Sequence, residues 1–362
     1  MNLHRLRTII GIELRQRVRS VGWYVLLGIF AVILVALLSL SFAAFSLTTG
    51  GSEWFFSLVI MLVLLLTLLV SPTLSGSAVN GDRDAATLAP VQVTLVTTSE
   101  IVIGKFLAAW ISGLAFLVVA LPFLVVATLA GELNPGAIVT SLLILIIEVG
   151  VVAAIGVGLS AVIARPIFSV ASTYLLVAAL TVGTLIAFGL GGAALRTQTT
   201  TISRDVDWNA VPLGCDLSSP STSPNCPSYD ELPCVESSYV SEQPRFDRVW
   251  WILAANPFVI LADATPPTYE NGNPTDLFSQ IAAGVRSAQL SPEETTSYDG
   301  CTLSRGLNVD DYPSTEERIA GTTPSWFVGL FFQLLLAGGL LAWGISRTRT
   351  PAKRLPPGTR IA

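Results

Sequence analysis

A single histidine, His4, is all the imidazole that 362 residues contain. It lies in a basic N-terminal stretch, which reads as a solvated interfacial position rather than that of a metal ligand or general base. The phosphate-cradling pattern G-x-x-x-x-G-K-[ST] is missing: Gly104-Lys105 has Ser99 in place of the first glycine and Phe106 in place of the hydroxyl residue. The chain therefore has no P-loop of its own. No zincin helix and no serine-hydrolase elbow occurs. Charge is scarce as well, at 12% of residues against 52% hydrophobic ones, with a mean hydropathy of +0.66. That balance excludes an ordinary set of soluble domains and implies no nucleic-acid surface. It describes a polytopic membrane protein.

Six apolar runs, at 23–45, 54–74, 106–129, 138–163, 167–190 and 326–345, are each long enough to cross about 30 Å of hydrocarbon as helix. Trp23, Trp54, Trp110 and Trp326 fall at or near run ends, where interfacial aromatics sit. Ahead of the first run, Arg5, Arg7, Arg15, Arg17 and Arg19 stand against one acid, Glu13, while Leu3, Leu6, Ile10, Leu14 and Val18 keep helical spacing. The segment reads as an interfacial amphipathic helix, or as a basic flank that orients the first span. Basic residues recur at 83–105, at Arg165 and in the tail with Arg347, Arg349, Lys353, Arg354 and Arg360, whereas 48–53 and 131–135 have none. The positive-inside rule then places both termini and the 82–105 loop in the cytoplasm, in agreement with six spans.

Between the fifth and sixth runs, residues 191–324 hold seven of the 20 basic residues but 18 of the 25 acids. This bias predicts an extracytoplasmic insertion. All four cysteines, Cys215, Cys226, Cys234 and Cys301, lie there, which suits two disulfides in an oxidising exterior, in one of three pairings; free or metal-bound thiols are the other reading. The Ser- and Pro-rich stretch 215–241 reads as loop. Within the insertion, 249–264 is apolar but too short to span and is broken by Asn256-Pro257, so it reads as re-entrant or interfacial. Short surface helices are expected at 275–291 and 314–320, the second with a Ser314-x-x-Glu317 capping box. The expected architecture is an all-α polytopic membrane protein. Residues 1–190 hold the interfacial helix and five spans, 191–324 the insertion, and 325–362 the last span and a basic tail.

Glu148 is the one acid in the middle of a run. A carboxylate there must face a bundle or a watery cavity, or be protonated. It reads as a pathway or gating residue, or as a helix–helix hydrogen bond; its flanks Ile146, Ile147, Val149, Val151 and Val152 supply no polar partner. Gly150, Ala154 and Gly158 recur at four-residue spacing on that run, and Gly338, Gly339 and Ala342 cluster on the last. Both sets permit close helix contact, within the chain or with a second copy. No metal site is expected.

The stretch 82–105 is polar where its surroundings are not. Asp82, Arg83 and Asp84 open it, Thr87 and Leu88 follow, and Glu100, Ile101, Gly104 and Lys105 close it. Thr97 and Glu100 have capping-box spacing, which predicts a helix starting near Thr98. Asp82 is suited to capping a shorter helix that Pro90 would stop near Leu88. Together these residues resemble the first cytoplasmic loop of the permease subunits of type-2 ABC exporters, which reads E-R-E-x-G-T-L, then T-P-x-S, then E-I-x-x-G-K. The charged triplet falls on Asp82, Arg83 and Asp84, Thr-Leu on Thr87 and Leu88, the Thr of T-P on Thr94, and the closing motif on Glu100, Ile101, Gly104 and Lys105. Ala86 stands where the pattern has Gly, and Leu95 where it has Pro.

The resemblance implies that this loop is a coupling helix received by a separate ATP-binding-cassette ATPase, which holds the ATP and Mg. It further implies a second permease copy or paralogue and a bacterial plasma membrane. Asp82, Arg83, Asp84, Thr87, Leu88, Glu100 and Lys105 are then the coupling residues. The substrate is unspecified, with apolar spans compatible with a hydrophobic or lipid-like cargo. The competing expectation is a membrane anchor that displays the disulfide-bearing insertion and transports nothing.

Overall fold

Apolar runs this long have no backbone solution in hydrocarbon other than helix, because each N–H and C=O must be paired within the segment. The computed structural model describes residues 2–45, 52–85, 97–130, 135–212, 215, 231–304 and 313–348. Thr87, Leu88 and Cys226 lie outside these residues, as do Ala86, Pro90, Thr94, Leu95 and the tail beyond Thr348. Among the described residues, six helices are long and apolar enough to cross a membrane. They are α2 (Val21–Phe45), α3 (Ser52–Ser75), α5 (Thr98–Ala130), α6 (Pro135–Val162), the composite α7 (Pro166–Ala178) and α8 (Thr184–Ala194), and α14 (Trp326–Thr348). Before them α1 (Leu3–Val18) is capped by Asn2, and α4 (Asn80–Asp84) follows α3 after a short turn.

The fourth of the six, α6, is the hub. It packs against α3, α5, α7 and α14, and most of its residues from Ile144 to Ala161 are buried. Small residues allow this. A Cβ on Gly158 would come within 2.8 Å of the Leu340 carbonyl carbon, and one on Gly344 within 2.8 Å of Ala161. For Gly158 the expected close contact is therefore met inside the chain, on α14, while Gly150 meets Trp110 of α5. Gly338 and Gly339 face open space. Trp110 packs between helices: it lies 12 residues into α5, beside Gly150, and its Nε1 donates to the Ile146 carbonyl at 2.9 Å. The helix starts earlier than the apolar run, at the Thr97 cap, so the ring falls inside the bundle.

The insertion is not all-helical, which corrects the all-α expectation. The chain leaves α8 directly into β1 (Arg196–Val206), pairs antiparallel with β2 (Cys234–Pro244) from Arg196↔Pro244 to Val206↔Cys234, and gains parallel β5 (Thr295–Asp299) on the other side. The described end of 215–241, expected as loop, is thus strand. Thr-rich β1 and the Tyr239-Val240 pair of β2 supply β-branched and aromatic side chains that fit a pleated surface, although no clean two-residue alternation announces them. A two-residue hairpin, β3 (Tyr269–Glu270) and β4 (Asn273–Pro274), turns at Asn271 and Gly272, both at positive φ.

Cys234 is bonded to Cys301 on α12 (Gly300–Ser304), beside a small core of Val206 and Leu232. Cys215 is disulfide-bonded as well. At the base of the sheet, Arg245 N donates to the Leu195 carbonyl at 2.7 Å, and the Phe246 ring packs tilted against Phe188 with centroids 4.9 Å apart. Arg245 also donates twice to Asp247, which holds that carboxyl below its ordinary value.

Segment 249–264 forms α9 (Trp250–Ala254) and α10 (Pro257–Ala264), broken at Asn256, whose side chain caps α10. The break dips into the bundle. Asn256 Nδ2 donates to the Thr181 carbonyl at 2.7 Å and to Thr184 Oγ1 at 2.9 Å, at the π turn (Ala179–Gly183) between α7 and α8. A Cβ on Gly329 of α14 would strike the Ala254 carbonyl. Asp263, at the end of α10, accepts from Arg286 Nε at 2.6 Å, Ser325 Oγ at 2.9 Å and Trp326 N at 3.1 Å. It joins α10, α11 (Leu277–Ser287) and the start of α14. The expected surface helices appear as α11 and α13 (Thr315–Ile319), the latter with its Ser314–Glu317 capping box formed.

Candidate functional site

The capping box at the start of α5 is present: Thr97 N donates to Glu100 Oε2 at 2.9 Å and Glu100 N to Thr97 Oγ1 at 3.3 Å. The other carboxyl oxygen of Glu100 accepts from Asn2 N at 2.6 Å. Glu100 is buried, so it serves the junction of α1 with α5 and does not face outward. One turn on, Gly104 lets α1 lie directly on α5: a Cβ there would come 2.8 Å from Ile9 Cγ2. Lys105, 3% exposed, pairs with Glu13 of α1 and, at 2.6 Å, with Asp82 of α4. A lone buried ammonium would be costly. Here two carboxylates from different elements compensate it, and the three helices are joined through one side chain.

Asp82 does not cap α4. The cap position is Val79, with no side-chain hydrogen bond, and Asp82 lies inside the first turn. There its charge still favours the helix N-terminus. What orders the turn before α4 is a buried pair whose meeting the sequence does not announce. Ser160 Oγ of α6 accepts from Val79 N at 2.9 Å and Asn80 N at 3.1 Å, and donates to Asn80 Oδ1 at 3.0 Å. Asn80 Nδ2 in turn donates to the Ile163 carbonyl at 3.1 Å. Gly156 completes the fit, since a Cβ there would collide with the Ser75 side chain. Arg17 Nη2 of α1 donates to the Leu74 carbonyl at 2.7 Å, and burial pushes its guanidinium below its ordinary value against the raising effect of Glu13.

Of the expected coupling residues, then, the structure brings together Asp82, Glu100 and Lys105 beneath α1. It leaves Asp84 exposed and Arg83 partly exposed at the end of α4; Thr87 and Leu88 fall outside the described residues. Glu13 was legible as the single acid in a basic segment. That Asn80 and Ser160 meet was not legible, because Asn80 is one small polar residue just beyond an apolar run and Ser160 a scattered polar residue inside another.

Glu148 is fully buried in the middle of α6. Its sequence neighbours offer no polar group, and the one brought beside it from another helix is the Gln333 side chain of α14. Gln333 Nε2 donates to the Ala255 carbonyl at the α9–α10 break, at 3.0 Å. Among the described residues, none of the His, Cys, Asp and Glu side chains form a group able to hold a metal ion. Compared with models of known protein families and with curated proteins, the chain matches none.

Proposed function

We propose that the chain is the membrane subunit of an ABC-type exporter, which moves a hydrophobic or lipid-like substrate across a bacterial plasma membrane and is powered by a separate ATPase. The observation that carries this reading is the mounting of α4. Its exposed Asp84 and partly exposed Arg83 sit on a helix that Lys105 ties to α1 and α5, and that Asn80 and Ser160 tie to α6. A protein that pushes on α4 moves those helices with it. An ATPase whose nucleotide affinity differs between two positions of α4 would thereby drive two states of the bundle, the free energy coming from that difference.

Both termini and α4 lie on the cytoplasmic side in this reading, with the sheet outside and the α9–α10 segment re-entrant. Two such chains, or this chain and a paralogue, complete the transporter. An apolar pocket of about 380 Å³ supports a lipid-like cargo; Val35, Leu38, Phe42, Phe55 and Phe123 line it, at the end of the bundle away from α1.

A photo-crosslinking residue in place of Asp84 tests the proposal in native membranes. The expected adduct is with an ATP-binding-cassette protein whose ATPase rate rises when it is reconstituted with this chain, and Arg83→Glu is expected to abolish both. Adducts that contain no such protein, with ATP hydrolysis and export indifferent to Arg83→Glu, would sink the exporter reading. They would favour the second one, an anchor that displays the disulfide-bonded sheet mounted on α8.

A further inference from the structure

Glu148 and Gln333 meet as a pair with too many acceptors. Both carboxyl oxygens of Glu148 and Oε1 of Gln333 are buried without a hydrogen-bond partner among the described residues. The amide nitrogen of Gln333 is committed to Ala255. An ionised carboxylate adds two more acceptors to a site that already has one unmet.

Among the described residues no cation is placed to neutralise it. Glu148 is the only charged residue of α6, and the elements packed on α6 offer little. On α3 the one charged residue is Glu53, in the first turn. On α5, Glu100 and Lys105 are engaged with α1 and α4 at the far end. The one titratable side chain of α7 is Tyr174, whose hydroxyl donates to the Leu69 carbonyl. On α10, Asp263 is paired with Arg286, and on α14 the one charge is Arg347, in the last turn. Trp110, the indole nearest along α5, gives its N–H to Ile146.

We propose that Glu148 is a proton-binding site: its carboxyl is held protonated and donates to Gln333 Oε1, so that one proton bridges α6 and α14. A single added hydrogen turns one carboxyl oxygen into a donor and satisfies the amide oxygen. The alternative is an unpaired carboxylate in the membrane interior. Because Gln333 also holds the α9–α10 break through Ala255, the bridge fixes three elements at once. Release of the proton to water would leave a carboxylate facing the amide oxygen with no hydrogen between them, and α6 and α14 would have to part or admit water. Proton occupancy is in this way coupled to the seating of the last span, whether or not α4 docks an ATPase.

The test is infrared spectroscopy of the full chain in lipid nanodiscs, with ¹³C-labelled glutamate to mark Glu carbonyls. At neutral pH the wild type should show one isotope-shifted C=O stretch of a protonated carboxyl. Glu148→Gln should abolish it, and Gln333→Leu should move it to higher frequency through loss of the hydrogen bond. Should Glu148→Gln not fold, the labelled wild type and Gln333→Leu still give the answer. Absence of the protonated band in wild type would overturn the proposal, as would its replacement by carboxylate stretches that respond to sodium or potassium. A band unmoved by Gln333→Leu would overturn the bridge.

Discussion

Replacing Lys105 by Met removes the one ammonium that α1, α4 and α5 share, while keeping much of its volume. The Lys105 side chain is 3% exposed, Glu13 16% and Asp82 37%. Taking one member from a buried ion pair costs about 3–5 kcal/mol, because the other charge stays behind uncompensated. The Asp82 arm, more than a third exposed, adds less than about 1 kcal/mol after solvent screening. Glu13 can escape to water if α1 lifts, so the loss should appear as undocking of α1 at about 3 kcal/mol, or roughly a hundredfold larger open population. Hydrogen exchange read by mass spectrometry in nanodiscs measures this directly. Amides of Leu3–Val18 should exchange about a hundredfold faster, while those of Pro135–Val162 stay as in wild type. Adding Glu13→Leu removes the stranded carboxylate and should restore much of the protection, the mark of a coupled pair. If α1 exchanges in Lys105→Met as it does in wild type, the ion pair does not hold α1, and the account of how α4 is mounted fails with it.

Asp263→Ala leaves Arg286 and the first amides of α14 without their acceptor; a loss of about 3–5 kcal/mol should lower the thermal midpoint in detergent, Asp263→Asn recovering part of it, and an unchanged midpoint in both would count against the capping role. Cys301→Ser, or reduction of Cys234–Cys301, should cost the insertion about 2–4 kcal/mol; limited proteolysis between the two cysteines should speed up while helical circular dichroism stays constant, and equal cleavage rates would refute this. Thr302 donates through both its hydroxyl and its backbone N–H to Asp299, which holds that carboxyl below its ordinary value. A depressed carboxyl stabilises above its unfolded value, and the contribution is lost as pH falls through the lower folded one. Exchange of the α12 amides should therefore rise in acid in wild type, and Asp299→Asn should remove that step; a step that persists in Asp299→Asn would show another group to be responsible.

Much of the membrane part was legible because its determinants are local. Run length sets where a helix can cross, and the Thr97–Glu100 box sets where α5 begins, since both cap residues lie within one turn of the amides they satisfy. The strands were less so. The 11 residues of β1 are paired with β2 residues 28 to 48 positions away and with β5 residues 95 away, and their Thr-rich sequence carries no periodic apolar face.

What the sequence settled by itself was composition-driven: six apolar helices, an acidic insertion that holds every cysteine, and a short polar stretch of unlike chemistry between the second and third runs. What only the tertiary structure decided was which polar side chains meet. Glu13 with Lys105, Ser160 with Asn80, and Glu148 with Gln333 are separated by 80 residues or more. Short hydroxyls such as those of Thr67 and Thr173 turn back to a carbonyl of their own helix, but these longer-range pairs join different helices, and helix packing determines which side chain stands opposite.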